Sequence, residues 1–136
     1  MKEITLKAVP ENIARVTELV DSELEKLGCA MKPQMQLDVA IDELFSNIAL
    51  YAYAPDTGEA TVRFDFDEET QMAAVTFMDH GKEFNPLLKE DPDTHISAVE
   101  RVVGGLGIFL VKKTMDQMEY SRCDGMNILT IRKRIS

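Results

Sequence analysis

The sequence lacks several features that would indicate a secreted, membrane-bound or metal-containing protein. Its two cysteines, Cys29 and Cys123, stand far apart without metal-ligand spacing, so we expect reduced thiols rather than a disulfide or a zinc site. No apolar run is long enough to cross a bilayer, and residues 1–9 alternate between apolar and polar instead of forming the basic and apolar blocks of a signal peptide. We therefore expect a cytoplasmic protein.

Basic residues are scarce, at 15 against 24 acidic residues, which gives a formal net charge of −9. A nucleic-acid-binding protein normally presents a basic face to the phosphates. The one basic cluster, residues 132–134, follows a predicted strand, and a solvated chain end explains it more simply. The acidic balance favours a protein partner or a metal-bound nucleotide over DNA or an anionic membrane.

Apolar periodicity predicts a single α/β domain over residues 1–136. The predicted strands lie at 3–9, 62–66, 72–78, 118–122 and 127–134, and the predicted helices run over 10–27, 33–51 and 108–115. Short turns between successive strands favour antiparallel pairing. We expect a two-layer α/β sandwich in which three helices cover one face of a mixed, mostly antiparallel sheet. The irregular stretch 82–103 is long enough to indicate a functional or partly disordered loop.

The second predicted helix places a carboxylate and an amide on one face. Glu43 and Asn47 are four residues apart, so they lie one helical turn from each other. An amide oxygen is a suitable hard ligand for Mg²⁺, and a carboxylate beside it can accept a proton from a water or hydroxyl nucleophile. An exposed polar helix face contains such pairs too, and for the pair alone that is the commoner case.

A turn whose residues could bind a planar ring with an amino group follows the predicted strand 72–78. Asp79 can accept a hydrogen bond from an exocyclic amine, and Gly81 allows the backbone to approach a flat ring or to adopt a positive φ. Phe84 and Pro86 would then form a wall of the pocket. An Asp-x-Gly sequence by itself is most often simply a turn.

Glycines stand immediately before the last predicted helix, at Gly104, Gly105 and Gly107, with Leu106 between them. Such glycines expose backbone N–H groups, a helix N-terminus favours phosphate, and their flexibility suits a lid over a ligand. A Walker A loop is excluded because Gly-x-x-x-x-Gly-Lys-Ser/Thr is absent, and a dinucleotide fingerprint because no strand leads into the glycines. A glycine-rich linker is the alternative.

Each motif is weak, but their ordered combination is specific. A Glu-x-x-x-Asn helix, an Asp-x-Gly turn and a later Gly-Gly-x-Gly segment resemble the boxes of the GHKL ATPases, which have the Bergerat ATP-binding fold. The chain is still more similar to one branch, the anti-sigma-factor serine kinases of the RsbW and SpoIIAB type. The segments that carry this resemblance are DELFSN at 42–47, DHGKEFNP at 79–86 and GGLGIFLVK at 104–112.

The resemblance implies ATP and Mg²⁺ as cofactors and assigns a role to each motif. Asn47 would hold Mg²⁺, and Glu43 would act as general base. Asp79 would read the adenine amine with Gly81 beside the ring, and Thr130 matches a threonine that helps to hold adenine. The lid over the phosphates would contain Gly104, Gly105, Leu106 and Gly107.

The resemblance also implies a regulatory kinase with two protein partners. It would hold a sigma factor inactive and phosphorylate an anti-anti-sigma (STAS) protein on serine or threonine, and it would form a homodimer without contacting nucleic acid or membrane. A nucleotide-sensing module without kinase activity and a slow ATP hydrolase are the alternatives. The chain departs from many relatives at Tyr51, where they carry His, and at Asn85, where Asp is common. Glu83 replaces a glycine of the histidine kinases.

Overall fold

The fold, obtained as a computed structural model, is described for residues 1–88 and 106–136. These residues form five strands and three α-helices: β1 (Lys2–Lys7), α1 (Ile13–Lys26), α2 (Met31–Asn47), β2 (Glu59–Asp67), β3 (Met72–Asp79), α3 (Leu106–Thr114), β4 (Gln117–Cys123) and β5 (Met126–Arg134). Every predicted strand and helix is present. Most of the predicted irregular stretch 82–103 lies outside the described residues, and so do Gly104 and Gly105.

The five strands form one sheet in the order β1-β2-β3-β5-β4, and each neighbouring pair is antiparallel. The predicted antiparallel character is confirmed, and the described strands contain no parallel pair. The β4–β5 hairpin turns at Asp124 and Gly125, whose φ angles are 52° and 76°. Two successive positive φ values match the right-handed twist of the flanking strands, which explains why an Asp-Gly pair stands there.

Burial alternates along the central strands and thereby identifies the face that the helices cover. Ala73, Val75 and Phe77 of β3 are buried in the core, whereas Thr76 between them lies on the other face. That second face carries polar pairs, such as Thr76 Oγ1 with Thr130 Oγ1 at 3.0 Å. The predicted two-layer sandwich is therefore confirmed, with one apolar core between the helices and one side of the sheet.

Proline and glycine mark the helix boundaries for local reasons. Pro10 begins a short 3₁₀ turn, Pro10–Asn12, that leads into α1, and Gly28 follows α1 with a φ of 70°. The helix α2 begins at Met31 rather than Pro33, which occupies its first turn, where a missing N–H costs no hydrogen bond. After Asn47 the chain continues as one π-helical turn, Ile48–Ala52.

A carboxyl pair interrupts the apolar packing of α1 against α2. One oxygen of Asp21 and one of Asp38 are buried without a hydrogen-bond partner among the described residues. Burial raises the pKa of Asp38 to about 7, assisted by the hydrogen bond and the negative charge of Asp21. Asp38 therefore retains its proton across the mildly acidic range, where an ordinary aspartate is ionised.

Candidate functional site

A cavity of about 340 Å³ lies between the end of α2 and the end of β3. This volume is within the range of small-molecule sites. Its lining is mostly apolar with a few polar groups, and it consists of Leu44, Asn47, Ile48, Tyr51, Ala52, Ala54, Phe77, Asp79, Lys82, Glu83, Phe84, Pro86, Tyr120, Asn127 and Leu129. Three predicted binding residues, Asn47, Asp79 and Phe84, are therefore brought to one cavity.

Asp79 is the most deeply buried acidic group of the cavity, with 5% of its surface exposed. Its Oδ1 accepts hydrogen bonds from the Gly81 N–H at 2.9 Å and from Asn127 Nδ2 at 3.0 Å. No described residue donates to its other oxygen, Oδ2. Because a carboxylate oxygen can accept hydrogen bonds, Oδ2 has capacity for a donor group on a ligand in the cavity.

The structure corrects the prediction for Thr130. Its hydroxyl pairs with Thr76 on the uncovered face of the sheet, so Thr130 does not reach the cavity. Asn127, three residues earlier on β5, lies on the opposite face from Thr130 because side chains alternate along a strand. Asn127 is 6% exposed and lines the cavity, and sequence reasoning had not identified it.

Glu43 and Asn47 lie together at the end of α2, as their spacing predicts. Asn47 Nδ2 donates to Glu43 Oε1 at 3.4 Å, and Asn47 lines the cavity. The Glu43 carboxyl group lies against the first turn of α3, where a Cβ atom at Gly107 would overlap it.

The side chains at this position supply oxygen ligands of the kind that Mg²⁺ takes. Within residues 1–88 and 106–136, no three His, Cys, Asp or Glu side chains cluster so as to hold a metal ion. The Asn47 amide uses its Nδ2 toward Glu43, which leaves its oxygen as an acceptor. Mg²⁺ usually takes one or two protein oxygens together with phosphates and water, and the Asn47 oxygen would be one protein ligand of this kind.

The turn that carries Asp79 packs directly against the π-helical turn. A Cβ atom at Gly81 would overlap the backbone carbonyl of Ala52, so only glycine permits this approach. The Lys82 N–H donates to the same carbonyl at 2.9 Å. Single π turns inside helices are frequent at functional sites, and here the turn forms one wall of the cavity.

A tyrosine fixes the other side of this turn. The Tyr53 hydroxyl accepts a hydrogen bond from the His80 N–H at 2.8 Å and donates to the Glu59 carbonyl at 2.6 Å. Burial raises the pKa of Tyr53, which keeps the phenol protonated and able to donate. The ring of Tyr53 lies against Gly58, where a side chain would overlap it.

The remaining predicted residues are only partly described. Leu106 and Gly107 are the first two residues of α3, and Gly104 and Gly105 lie outside the described ranges. Tyr51, which stands where many relatives of the predicted type carry His, is 64% exposed at the cavity. Of the predicted lid, the structure therefore describes only the last two residues, and Gly107 packs against the Glu43 carboxyl group.

Comparison with protein families decides the assignment. The family described as "Histidine kinase-like ATPase domain" matches residues 6–133. The chain belongs to this family. Membership of this ATPase family confirms the predicted superfamily and its α/β sandwich fold.

This histidine kinase-like ATPase domain is similar to proteins named serine-protein kinase RsbW. The protein from Bacillus mycoides (strain KBAB4) is 26% identical over 136 aligned positions, which cover 93% of this chain and 81% of the relative. The protein from Bacillus cereus (strain ATCC 10987) is 27% identical over 129 positions with the same coverage. These similarities confirm the predicted resemblance to the RsbW type.

Solved structures confirm the fold of the histidine kinase-like ATPase domain. The catalytic domain of histidine kinase ThkA has a TM-score of 0.52 at 12% identity, with 99% of this chain and 98% of that chain covered. A blue-light activated histidine kinase from Erythrobacter litoralis EL346 has a TM-score of 0.55 at 14% identity, with 79% of this chain covered. The match spans about a third, 32%, of that kinase. No described helix has the length and apolar character needed to cross a membrane.

Proposed function

We propose that this chain is an ATP-dependent protein serine/threonine kinase that also acts as an anti-sigma factor. The cavity carries this conclusion, because Asp79 and Asn47 line it together and Glu43 lies beside Asn47. The family match and the similarity to proteins named serine-protein kinase RsbW support the same activity.

Adenine binds at the Asp79 end of the cavity. The Oδ2 of Asp79, which receives no hydrogen bond from the described residues, accepts one from the 6-amino group. Phe77 and Leu129 supply apolar contacts within the same lining, and Phe84, 47% exposed, lies toward the opening. Gly81 keeps the Asp79 turn against the π-helical turn and so maintains the shape of this end.

Phosphoryl transfer takes place at the Asn47 end. The Asn47 oxygen would help to hold Mg²⁺, which would neutralise charge on the triphosphate. Glu43 accepts the proton of a serine or threonine hydroxyl on the substrate. The hydroxyl oxygen forms a bond to the γ-phosphorus while the bond between that phosphorus and the bridging oxygen breaks, so that ADP leaves with the electron pair.

Two protein partners follow from this proposal, a sigma factor that is held inactive and a STAS anti-anti-sigma protein that is phosphorylated. Phosphorylation adds about 1.5 to 2 negative charges to the STAS protein. Because this chain has a net charge of −9, the added charge disfavours renewed docking. A homodimer in the cytoplasm completes the proposal, and β1, an edge strand of the described sheet, offers unpaired backbone groups for it.

Radiolabelled ATP with Mg²⁺ and the STAS protein encoded nearest to the gene tests the proposal. Label on a serine or threonine of the STAS protein is the expected result. Release of phosphate to water without labelled protein would instead establish a hydrolase, and ATP binding without turnover would establish a nucleotide-sensing module. Either outcome would contradict the kinase proposal.

The role of Glu43 is tested in the same assay. Glu43→Gln keeps the shape of the side chain but cannot accept the proton, so we expect transfer to fall by at least about a hundredfold while the Kd for ATP stays within about threefold. Asp42→Asn is a matched control, because it removes the neighbouring exposed carboxylate from the same helix. Retained transfer in the Glu43 variant would contradict its assignment as general base.

A further inference from the structure

We infer that Asn127, oriented by Tyr120, is the positioning residue that makes Asp79 selective for a nucleobase with a 6-amino group. The inference rests on the proposed binding of ATP. It concerns two residues that lie outside the sequence motifs, one on β5 and one on β4. Both line the same cavity as Asp79.

Asn127 and Asp79 are directly opposite each other on neighbouring antiparallel strands. Both side chains are buried, with 6% and 5% of their surfaces exposed. Their hydrogen bond joins Asn127 Nδ2 to Asp79 Oδ1 at 3.0 Å, so the Asn127 amide, together with the Gly81 N–H, occupies this oxygen. A hydrogen-bond donor on a ligand would therefore bind to the other oxygen, Oδ2.

The Asn127 side chain uses its whole hydrogen-bonding capacity in the structure. Its Nδ2 donates to Asp79 Oδ1 and to the Lys82 carbonyl at 2.7 Å. Its Oδ1 accepts from the Tyr120 hydroxyl at 2.5 Å and from the Phe84 N–H at 3.3 Å. An amide has two N–H donors and two acceptor lone pairs, so no part of it is left for the ligand. Asn127 consequently acts through Asp79.

The four partners allow one orientation of the amide. In the reverse orientation the Asn127 NH₂ group would face the Phe84 N–H, and its oxygen would face both the Lys82 carbonyl and the Asp79 carboxylate. Donor would oppose donor and acceptor would oppose acceptor, which is costly for buried groups. The Phe84 N–H and the Lys82 carbonyl thus ensure that a donor, rather than an acceptor, points at Asp79, and the Tyr120 hydroxyl stabilises this orientation through a second hydrogen bond to Oδ1.

Selectivity follows from the oxygen of Asp79 that receives no hydrogen bond from the described residues, because a carboxylate oxygen accepts hydrogen bonds and does not donate them. A 6-amino group satisfies the remaining oxygen, whereas a 6-oxo group opposes it and a base without a 6-substituent leaves it unsatisfied. Sites built around a buried polar group reject analogues that lack the matching group.

The hydrogen bond from Tyr120 to Asn127 can be removed with the smallest change to the protein. The Tyr120 hydroxyl donates to Asn127, so Tyr120→Phe deletes one donor and keeps the aromatic ring on β4. Asn127→Ala deletes the complete link between β5 and the Asp79 turn. The control is Thr130→Val, a change on the same strand whose side chain lies on the uncovered face.

The measurement compares ATP with purine riboside triphosphate, which lacks only the 6-amino group, by calorimetric Kd values in the presence of Mg²⁺. We expect wild type and Thr130→Val to prefer ATP by about ten- to a hundredfold, the range of a hydrogen bond to a charged group. The preference should fall to less than about threefold in Asn127→Ala and to an intermediate ratio in Tyr120→Phe. A merely structural residue would weaken both nucleotides equally and leave the ratio unchanged.

The outcomes separate this inference from the proposal on which it rests. Wild-type protein that binds neither nucleotide would overturn both. A wild-type preference for ATP that survives unchanged in the Asn127 and Tyr120 variants would overturn the positioning role alone. If Asn127→Ala fails to fold by circular dichroism, the ratio in Tyr120→Phe decides, and an unchanged ratio there overturns the inference.

Discussion

The carboxyl group of Glu43 lies so close to the Cα atom of Gly107 that a methyl group on that atom would overlap the carboxyl carbon and both carboxyl oxygens. Glu43 belongs to α2, and Gly107 is the second residue of α3, so this contact joins the predicted general base to the predicted lid. Gly107 is therefore needed for space at Glu43, in addition to any flexibility it gives the lid.

Gly107→Ala should separate stability from catalysis. Alanine forms helices better than glycine by about 1 kcal/mol, so the free energy of unfolding should not fall. The methyl group displaces the Glu43 carboxyl, and we expect phosphoryl transfer to drop by more than about tenfold. Denaturant unfolding and transfer to the STAS protein measure the two effects. Lys113→Ala, exposed on the same helix, should leave transfer unchanged, and equal rates in both variants would contradict the prediction.

Asp79→Asn should weaken ATP binding without unfolding the protein. The amide oxygen can keep the two hydrogen bonds that Oδ1 accepts from Gly81 and Asn127, but its NH₂ group then opposes the 6-amino group of adenine. We expect the Kd for ATP to rise by about ten- to a hundredfold in calorimetry. Asp65→Asn on β2 is the control for loss of one negative charge. An unchanged Kd in the Asp79 variant would remove Asp79 from the binding site.

Gly81→Ala should damage both stability and the cavity. The added methyl group meets the backbone carbonyl of Ala52, which cannot move aside as a flexible side chain can. We expect a loss of about 1–3 kcal/mol in the free energy of unfolding, together with weaker ATP binding. His80→Ala changes the preceding exposed residue and should alter neither quantity. A stable Gly81→Ala protein with wild-type affinity would show that the close packing is unnecessary.

The Asp21–Asp38 pair should make the protein less stable as the pH rises. The pKa of Asp38 is about 7 in the folded protein and about 4 in an unfolded chain. Between these values the folded state binds more protons, so the contribution of this group to stability falls with increasing pH and levels off above the folded pKa. Asp38→Asn cannot ionise and should lessen this decline.

Thermal melts between about pH 4 and about pH 8 test this dependence. The Tm of Asp38→Asn relative to wild type should rise with pH across the window. Asp42→Asn, which removes an exposed carboxylate one turn further along α2, should follow the wild-type profile. Parallel profiles for wild type and Asp38→Asn would contradict the raised pKa.

Local patterns were sufficient to predict the elements and their order. Alternation in β3 and the 3.6-residue period in α1 each reflect a single buried face, which is visible without knowing the neighbours. The Asp124–Gly125 turn was predictable for the same reason, since its positive φ angles are a local property. Asn47 and Asp79 were expected at one site because of the ordered motifs, and the structure places both at the cavity.

The π-helical turn was not predictable, because the apolar stripe of the second predicted helix continues through Ile48 to Tyr51. A change from α- to π-type hydrogen bonding leaves little trace in the pattern of side chains. It leaves Tyr51, the last residue of the predicted helix 33–51, largely exposed at the cavity.

Asn127 was missed because the alternation in β5 is ambiguous. Ile128, Leu129 and Ile131 are all apolar, so the sequence does not reveal which parity faces the core, and an error of one residue exchanges the two faces. The burial of Leu129 and Ile131 settles the parity and assigns Asn127 to the inner face. Its pairing with Asp79 depends on a register between strands 48 positions apart, which no local signal encodes.

The position of β5 between β3 and β4 has a consequence for biosynthesis. Asn127, the partner of Asp79, lies on β5, which is synthesised after β4. A nascent chain that has emerged only as far as β4 therefore lacks the strand that pairs with β3. Ligand capture during translation must therefore wait for the β4–β5 hairpin to dock, and until then the edge of β3 presents unpaired backbone N–H and C=O groups.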